Sequence, residues 1–322
     1  MMSSLDQSED DFVGVAVKAF RAGDGRAALD TLGWWQVLSD LGDDESRVAA
    51  FALFRAQGRE LATSNALGGL MAQPYLNLLG GASDTIVATI TRQSPRRGAV
   101  TVTVGDPTGS QLLVDRPGFG ASIVDPGDVE LRAVDVAGRL ALHEVSIDPS
   151  RWRASIGEAE AAPARARSVF LGRVAMAFEM LGAAEAASAL AVEHARAREQ
   201  FGRPIGTFQA VRHLLAWATT DCTAIEHVAA MAVTLDSAAP PRYDEITKAL
   251  AGRNGRRACE RALQVLGAIG FTAEHSHHHF HSRVLALDSL LGTSAELSRA
   301  LGAWLREARG DPHIPASLLL GR

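Results

Sequence analysis

The stretch from Ala161 to Gln200 is almost free of helix breakers, and it exceeds the ordinary globular helix of about 8–20 residues. Pro163 falls in its first turn, where a missing N–H is tolerated, and only Gly172 and Gly182 weaken the interior. Phe201-Gly202-Arg203-Pro204 ends it, with the Gly and Pro acting as stop signals. Three more helical stretches follow, at about Phe208–Ser237 (closed by Ala-Ala-Pro-Pro), Tyr243–Leu266 and Ser282–Ala308. Four long helices with short connections predict an antiparallel four-helix bundle.

The chain before the bundle has two parts. From Asp10 to about Tyr75 the apolar positions recur at three and four, as in Phe12, Val15, Ala16, Ala19, Phe20 and again in Leu29, Leu32, Trp35, Leu38. Gly23-Asp24-Gly25 and Gly42-Asp43-Asp44 punctuate these runs as turns. After Ser94-Pro95-Arg96-Arg97 the period changes. Ala99–Val104, Gln111–Val114, Ala121–Val124, Val129–Val134 and Leu140–Ile147 are short β-branched runs split by Pro, Gly and Asp, which predicts a small antiparallel sheet or half-barrel. The expected fold class is α+β, mainly α: a helical N-terminal domain over 1–92, a reduced β-domain over 93–150 and a C-terminal four-helix bundle over 151–322.

Composition removes several functions. The 322 residues allow two or three domains, and the net charge of −5 offers no electrostatic footprint for nucleic acid. No uninterrupted run of about 18 apolar residues predicts a membrane span. The N-terminal MMSSLDQSEDDF is acidic and polar, the reverse of a signal or transit peptide. Cys222 and Cys259 are the only cysteines, which suits a reducing cytoplasm. Of the 32 basic residues only Lys18 and Lys248 are lysines, which reads as a GC-rich coding bias rather than a binding surface.

Two segments carry candidate chemistry. In Arg198-Glu-Gln-Phe201-Gly-Arg-Pro-Ile205, followed by Phe208-Gln209, a guanidinium fork, an aromatic ring and amide donors share one loop, a set that suits a pyrophosphate and a flat heterocycle. In Gln264-Val-Leu-Gly267-Ala268-Ile-Gly270-Phe-Thr272 the paired glycines allow close backbone approach to a ligand. On spacing alone, each segment also reads as an ordinary helix cap without function.

Together, RxQFGxPIxxFQ and QxxGxxGxT in a C-terminal helical region resemble the acyl-CoA dehydrogenase family. The helix–β–helix order is similar to that family's architecture. The resemblance implies FAD, an acyl-CoA thioester oxidised at Cα–Cβ by a Glu base and hydride transfer to the flavin, and an electron-transfer flavoprotein as redox partner. It assigns Arg198 to the FAD pyrophosphate and Phe201 to the adenosine part. Gln209, Gln264, Gly267 and Ala268 complete the ADP site, with Ala268 in place of the family's second Gly. The resemblance implies that this set acts across the dimer interface, on FAD seated mainly in the neighbouring subunit.

The residues with which a family member handles its own flavin and substrate are mostly missing. The register from Gln264 places Leu291-Gly292-Thr293 where the family has Glu-Gly-Thr, and an isobutyl group accepts no proton. The other base position of the family falls on Gly172-Arg173, and Glu179, nearly two turns on, reads as a packed or solvated carboxylate. The Thr-Glu-Pro-x-x-Gly-Ser-Asp segment has no counterpart between Ser83 and Val104, the Trp-Ile-(Ser/Thr) strand is absent, and so is the Val-Pro-Glu-x-x-Gly-Gly turn after Leu38–Gly42. Thr293 survives as a single hydrogen-bond donor. The pattern resembles the short subunits of heteromeric acyl-CoA dehydrogenases of steroid-degrading bacteria. It implies a non-catalytic subunit that completes the FAD site of a full-length partner, with the acyl-CoA mainly in that partner. A self-sufficient dehydrogenase with an unrecognised base and a flavin-free scaffold remain open.

Other signals read as structural. His275, His277, His278, His279 and His281 invite a metal reading, but they lack nearby Cys and read as an exposed polar connection. Gly118-Phe-Gly120 reads as a hairpin turn, Asp43-Asp44-Glu45 as an N-cap cluster and Trp34-Trp35 as core.

Overall fold

The computed structural model describes residues 4–82, 84–94, 98–136, 138–148 and 152–307. Five helices come first: α1 (Ser4–Ala22), α2 (Gly25–Thr31), α3 (Trp34–Ser39), α4 (Asp44–Glu60) and α5 (Ala66–Leu79). Asp24 caps α2 by accepting from the Ala27 N–H, and Asp43 caps α4 by accepting from the Ser46 N–H, which confirms the N-cap reading of that cluster. Trp34 is buried edge-on against Phe54, while Trp35 lies at the surface of the core and donates to Asp30.

Seven strands follow. β1 (Ile86–Ala88), β4 (Gln111–Arg116) and β5 (Gly120–Val124) form one sheet, and β2 (Ile90–Ser94), β3 (Gly98–Val104), β7 (Leu142–Ser146) and β6 (Glu130–Val134) form the other, in those orders. The spacing predicts a small antiparallel sheet or half-barrel. The structure departs from that at its start, where β1 pairs in parallel with β4, Ile86 opposite Gln111. Ile86–Ala88 is too short to show a two-residue period, so only its partner reveals it as a strand. Gly118 turns β4 into β5 as expected. Residues 95–97 of the Ser94-Pro-Arg-Arg punctuation lie outside the described residues.

The bundle is built from α6 (Glu158–Ala197), α7 (Gln209–Leu235), α8 (Tyr243–Leu266), α9 (His277–Asp288) and α10 (Ser294–Glu307). α6 begins three residues before the expected Ala161, because Glu158 and Glu160 favour a helix N-terminus. Pro163 therefore lies past the first turn, and the carbonyl it leaves unbonded belongs to exposed Ala159. By length and composition α6 would suit a bilayer, but 72% of its apolar window is buried within the protein. Gly182 weakens α6 for a reason that only packing reveals. A Cβ there would lie 2.0 Å from the Arg55 carbonyl oxygen, and one on Gly58 would lie 2.0 Å from that of Glu179. The backbones of α4 and α6 touch through this reciprocal glycine pair.

The expected fourth helix, Ser282–Ala308, is two helices. α9 starts earlier, at His277, and the chain breaks at Leu291 and Gly292, both left-handed with φ of 52° and 96°. Two cations, the buried Lys248 and the half-buried Arg173, hold this break. Lys248 Nζ donates to the carbonyls of Asp288 and Gly292, each at 3.2 Å, and Arg173 Nε donates to that of Leu291 at 3.0 Å. Burial lowers the Lys248 ammonium to about 8, against the pull of Asp288. Ala308, the expected end, lies outside the described residues.

Candidate functional site

The antiparallel run of α6, α7 and α8 brings the end of α6, the start of α7 and the end of α8 to one end of the bundle, as the contact of Arg261 with the Trp217 carbonyl and Asp221 shows. Arg198 closes α6, its N–H donating to the His194 carbonyl at 2.8 Å, and its side chain faces solvent. Glu199-Gln200 then pairs antiparallel with Arg203-Pro204, leaving Phe201 and Gly202 as a two-residue hairpin turn with φ of 55° and 77°. Two consecutive left-handed residues suit glycine at the second position and strain the aromatic at the first. The strain carries the Phe201 ring out to 93% exposure, edge-on to Phe208 at 6.1 Å. The Arg203 guanidinium covers Phe208 from 4.4 Å.

Gln209 opens α7 and Gln264 lies in the last turn of α8, both exposed. Gly267 follows with φ 63° and ψ −140°, a conformation close to the glycine-only region, and a Cβ there would meet open space. Gly270 has the opposite reason for being small: a Cβ would press on Leu263 and Leu266 at 2.8–2.9 Å. Ala268, Ile269 and Phe271 are exposed, Phe271 by 76%. Arg198, Phe201, Gln209, Gln264, Gly267 and Ala268 thus share one end of the bundle. Their open surface offers guanidinium and amide donors beside an aromatic face, and this set fits the phosphate and ring parts of a dinucleotide.

Thr293 is elsewhere. It caps α10, accepting from the Glu296 N–H while Glu296 accepts from the Thr293 N–H and hydroxyl. Arg173, which holds this turn, precedes Arg198 by 25 residues, about 37 Å along α6 at about 1.5 Å per residue.

At that second end Leu291 enters a cleft of about 160 Å³ lined by α5, β1, β4 and α6. A Cβ on Gly172 would lie 2.8 Å from both Leu291 Cδ1 and Met71 Sδ, so the two positions to which the sequence resemblance assigns a base converge on one apolar spot. The polar groups around it are satisfied. Tyr75 donates to Asp115 at 2.9 Å, Arg165 binds Asp115 and Glu158, and Ser168 donates to the Met71 carbonyl. Burial and Asp115 push the Tyr75 hydroxyl well above its ordinary value. Sequence reasoning missed this network because Asp115 and Arg165 come together only through the packing of the β4–β5 hairpin on α6. Leu291→Glu is expected to destabilise the chain by about 1–3 kcal/mol, read as a lower urea midpoint at constant slope, since among the described residues no free cation of the cleft awaits the carboxylate.

Glu179, expected to be packed or solvated, is fully buried on Arg283 and Gln57. The histidines correct an expectation. They do not form an exposed connection: His277 is 1% exposed, opens α9, and its Nε2 donates to the Cys259 carbonyl at 2.8 Å. Packing on α8, invisible to sequence polarity, draws it in. Among the described residues, no group of three or more His, Cys, Asp or Glu is arranged to hold a metal.

Residues 166–305 match the family model for the acyl-CoA dehydrogenase C-terminal domain. Acyl-CoA dehydrogenase IpdE2 of Mycobacterium tuberculosis is 31% identical over 206 residues, 59% of this chain; the chain spans 63% of that relative, less than two thirds. Among solved structures, the ChsE4-ChsE5 complex of Mycobacterium tuberculosis aligns over 96% of this chain and 99% of its own, with a TM-score of 0.74 at 19% identity. The Tcur3481-Tcur3483 steroid ACAD aligns over 94% and 99%, with a TM-score of 0.74 at 20% identity. Residues 166–305 therefore carry an acyl-CoA dehydrogenase C-terminal domain, and the chain shares the fold of these solved structures.

Proposed function

We propose that this chain is a non-catalytic subunit of a heteromeric, FAD-dependent acyl-CoA dehydrogenase. It completes the ADP part of the FAD site of a full-length partner subunit. The observation that carries this reading is an asymmetry between the two ends of the bundle. The end bearing Arg198, Phe201, Gln209 and Gln264 is intact and open, whereas both base positions in the cleft are apolar and packed against each other. A thioester α-proton there would find no free carboxylate among the described residues: Asp115 and Glu158 are both held by Arg165. FAD would supply the hydride acceptor, with this chain's guanidinium and amides neutralising and orienting its pyrophosphate. The heteromeric ChsE4-ChsE5 neighbour and the steroid ACAD neighbour support a subunit role and a bulky steroid-derived acyl-CoA, bound mainly by the partner. Electrons would leave through an electron-transfer flavoprotein in the cytoplasm.

The test is a flavin titration. The chain alone is expected to retain no stoichiometric flavin and no dehydrogenase activity, and co-expression with a full-length homologue that keeps the Glu is expected to give one FAD per pair. Stoichiometric flavin together with activity in this chain alone would overturn the reading.

A further inference from the structure

The α9 N-terminus is built from imidazoles that hydrogen-bond to backbone groups. The Cys259 carbonyl can only accept, so His277 Nε2 carries that ring's proton and its Nδ1 is bare. His275 Nδ1 accepts from the His277 N–H at 3.2 Å, so it too is bare, and His275 stands where a side-chain cap would. His278 Nδ1 donates to the His275 carbonyl at 2.7 Å, its ring 3.9 Å from that of His279, and His281 lies 6.1 Å from His277. Each added proton either removes one of these acceptors or puts positive charge on the first turn of a helix, the end where the backbone dipole opposes it.

The groups facing the cluster offer little compensation. From α8, Glu260 and Arg256 face His281, and they pair with each other at 3.6 Å. From α6, His194 and its neighbour Arg198 face His275, and Arg139, from the turn before β7, faces His279. Burial first, against the Cys259 hydrogen bond and with help from the neighbouring imidazoles, holds His277 below the ordinary histidine value; burial does the same for His279 and His281. The folded turn therefore binds fewer protons than the unfolded chain below about pH 6.5. Its stability is complete above that pH and is lost as the pH falls toward the folded values.

We infer that the first turn of α9 is an acid-released clasp on the Gly267–Ser276 segment. That segment is held between the end of α8 and His277, and its own bonds are short-range: Thr272 N–H to the Ile269 carbonyl and His275 N–H to that of Thr272. Farther along α9, Arg283 is buried with five hydrogen bonds, so release stops within the first turns. On the reading that Gly267 and Ala268 meet FAD, the clasp makes flavin retention by the assembled complex fall with acid.

Hydrogen exchange on the full chain without flavin or partner tests the clasp, with rates corrected for the intrinsic pH effect. Protection of amides 277–281 is expected to fall at least tenfold from pH 7.5 to 5.5, while central α8 stays within twofold. His277→Gln keeps a donor for the Cys259 carbonyl but takes no second proton, and it is expected to hold the fall below threefold. Unchanged protection of 277–281 in the wild type would overturn the clasp, as would a His277 ring that titrates at or above pH 6.5 by NMR. The NMR titration needs no variant. Neither result depends on the subunit reading, whose failure shows only in the flavin titration.

Discussion

Replacing Arg283 by Met is expected to destabilise the chain by about 3–5 kcal/mol, the usual loss when one partner of a buried ion pair is removed. Arg283 and Glu179 are both fully buried, 2.6 Å apart. The guanidinium also donates to the carbonyls of Leu61, Ala62, Gly138 and Arg139, so one side chain joins α9 to the end of α4 and to the turn before β7. A Cβ on Gly138 would lie 2.4 Å from the Arg283 nitrogen, which shows how closely that turn meets α9. Burial already raises the Glu179 carboxyl above the usual carboxylate range despite Arg283 and Gln57, and without the cation it would be buried protonated or as an uncompensated charge. Urea unfolding followed by circular dichroism measures the loss. Combining Arg283→Met with Glu179→Leu is expected to cost less than Arg283→Met alone, because the unpaired acid is then gone. A cost for the double variant equal to the sum of the two single-variant costs would mean that the pair is not coupled.

Arg198→Ala bears on function instead. With the co-expressed complex, FAD affinity is expected to fall about 10- to 150-fold, the equivalent of losing charge-assisted hydrogen bonds of about 1.5–3 kcal/mol. Assembly should be unchanged, because the Arg198 side chain is exposed at the end of α6. Equilibrium dialysis of flavin and size-exclusion chromatography separate the two effects. Unaltered flavin affinity with intact assembly would favour a scaffold that contacts no cofactor.

The helices and most strands were legible because their causes are local. Apolar spacing, Asp43 at a cap and the Gly-Pro stop after Phe201 act within a few residues. The break at Leu291-Gly292 was not legible, since it depends on Lys248 and Arg173 collecting carbonyls from another helix. Nor was the inward turn of His277, which depends on a carbonyl of α8.

By itself, the sequence determined which chemistry this chain has to work with. Arg198, Phe201 and two glutamines are present, and a carboxylate at 291 is not. Only the tertiary structure decided where these residues stand. The reversal of α7 and α8 gathers six candidate residues at one end of α6 and leaves Thr293 at the other. The same packing brings Gly172 and Leu291 together across 119 residues of chain, so that the two positions the resemblance marks for a base become a single apolar contact. Side-chain identity belongs to each residue alone, whereas proximity comes from burying helix faces against one another, which no local pattern encodes.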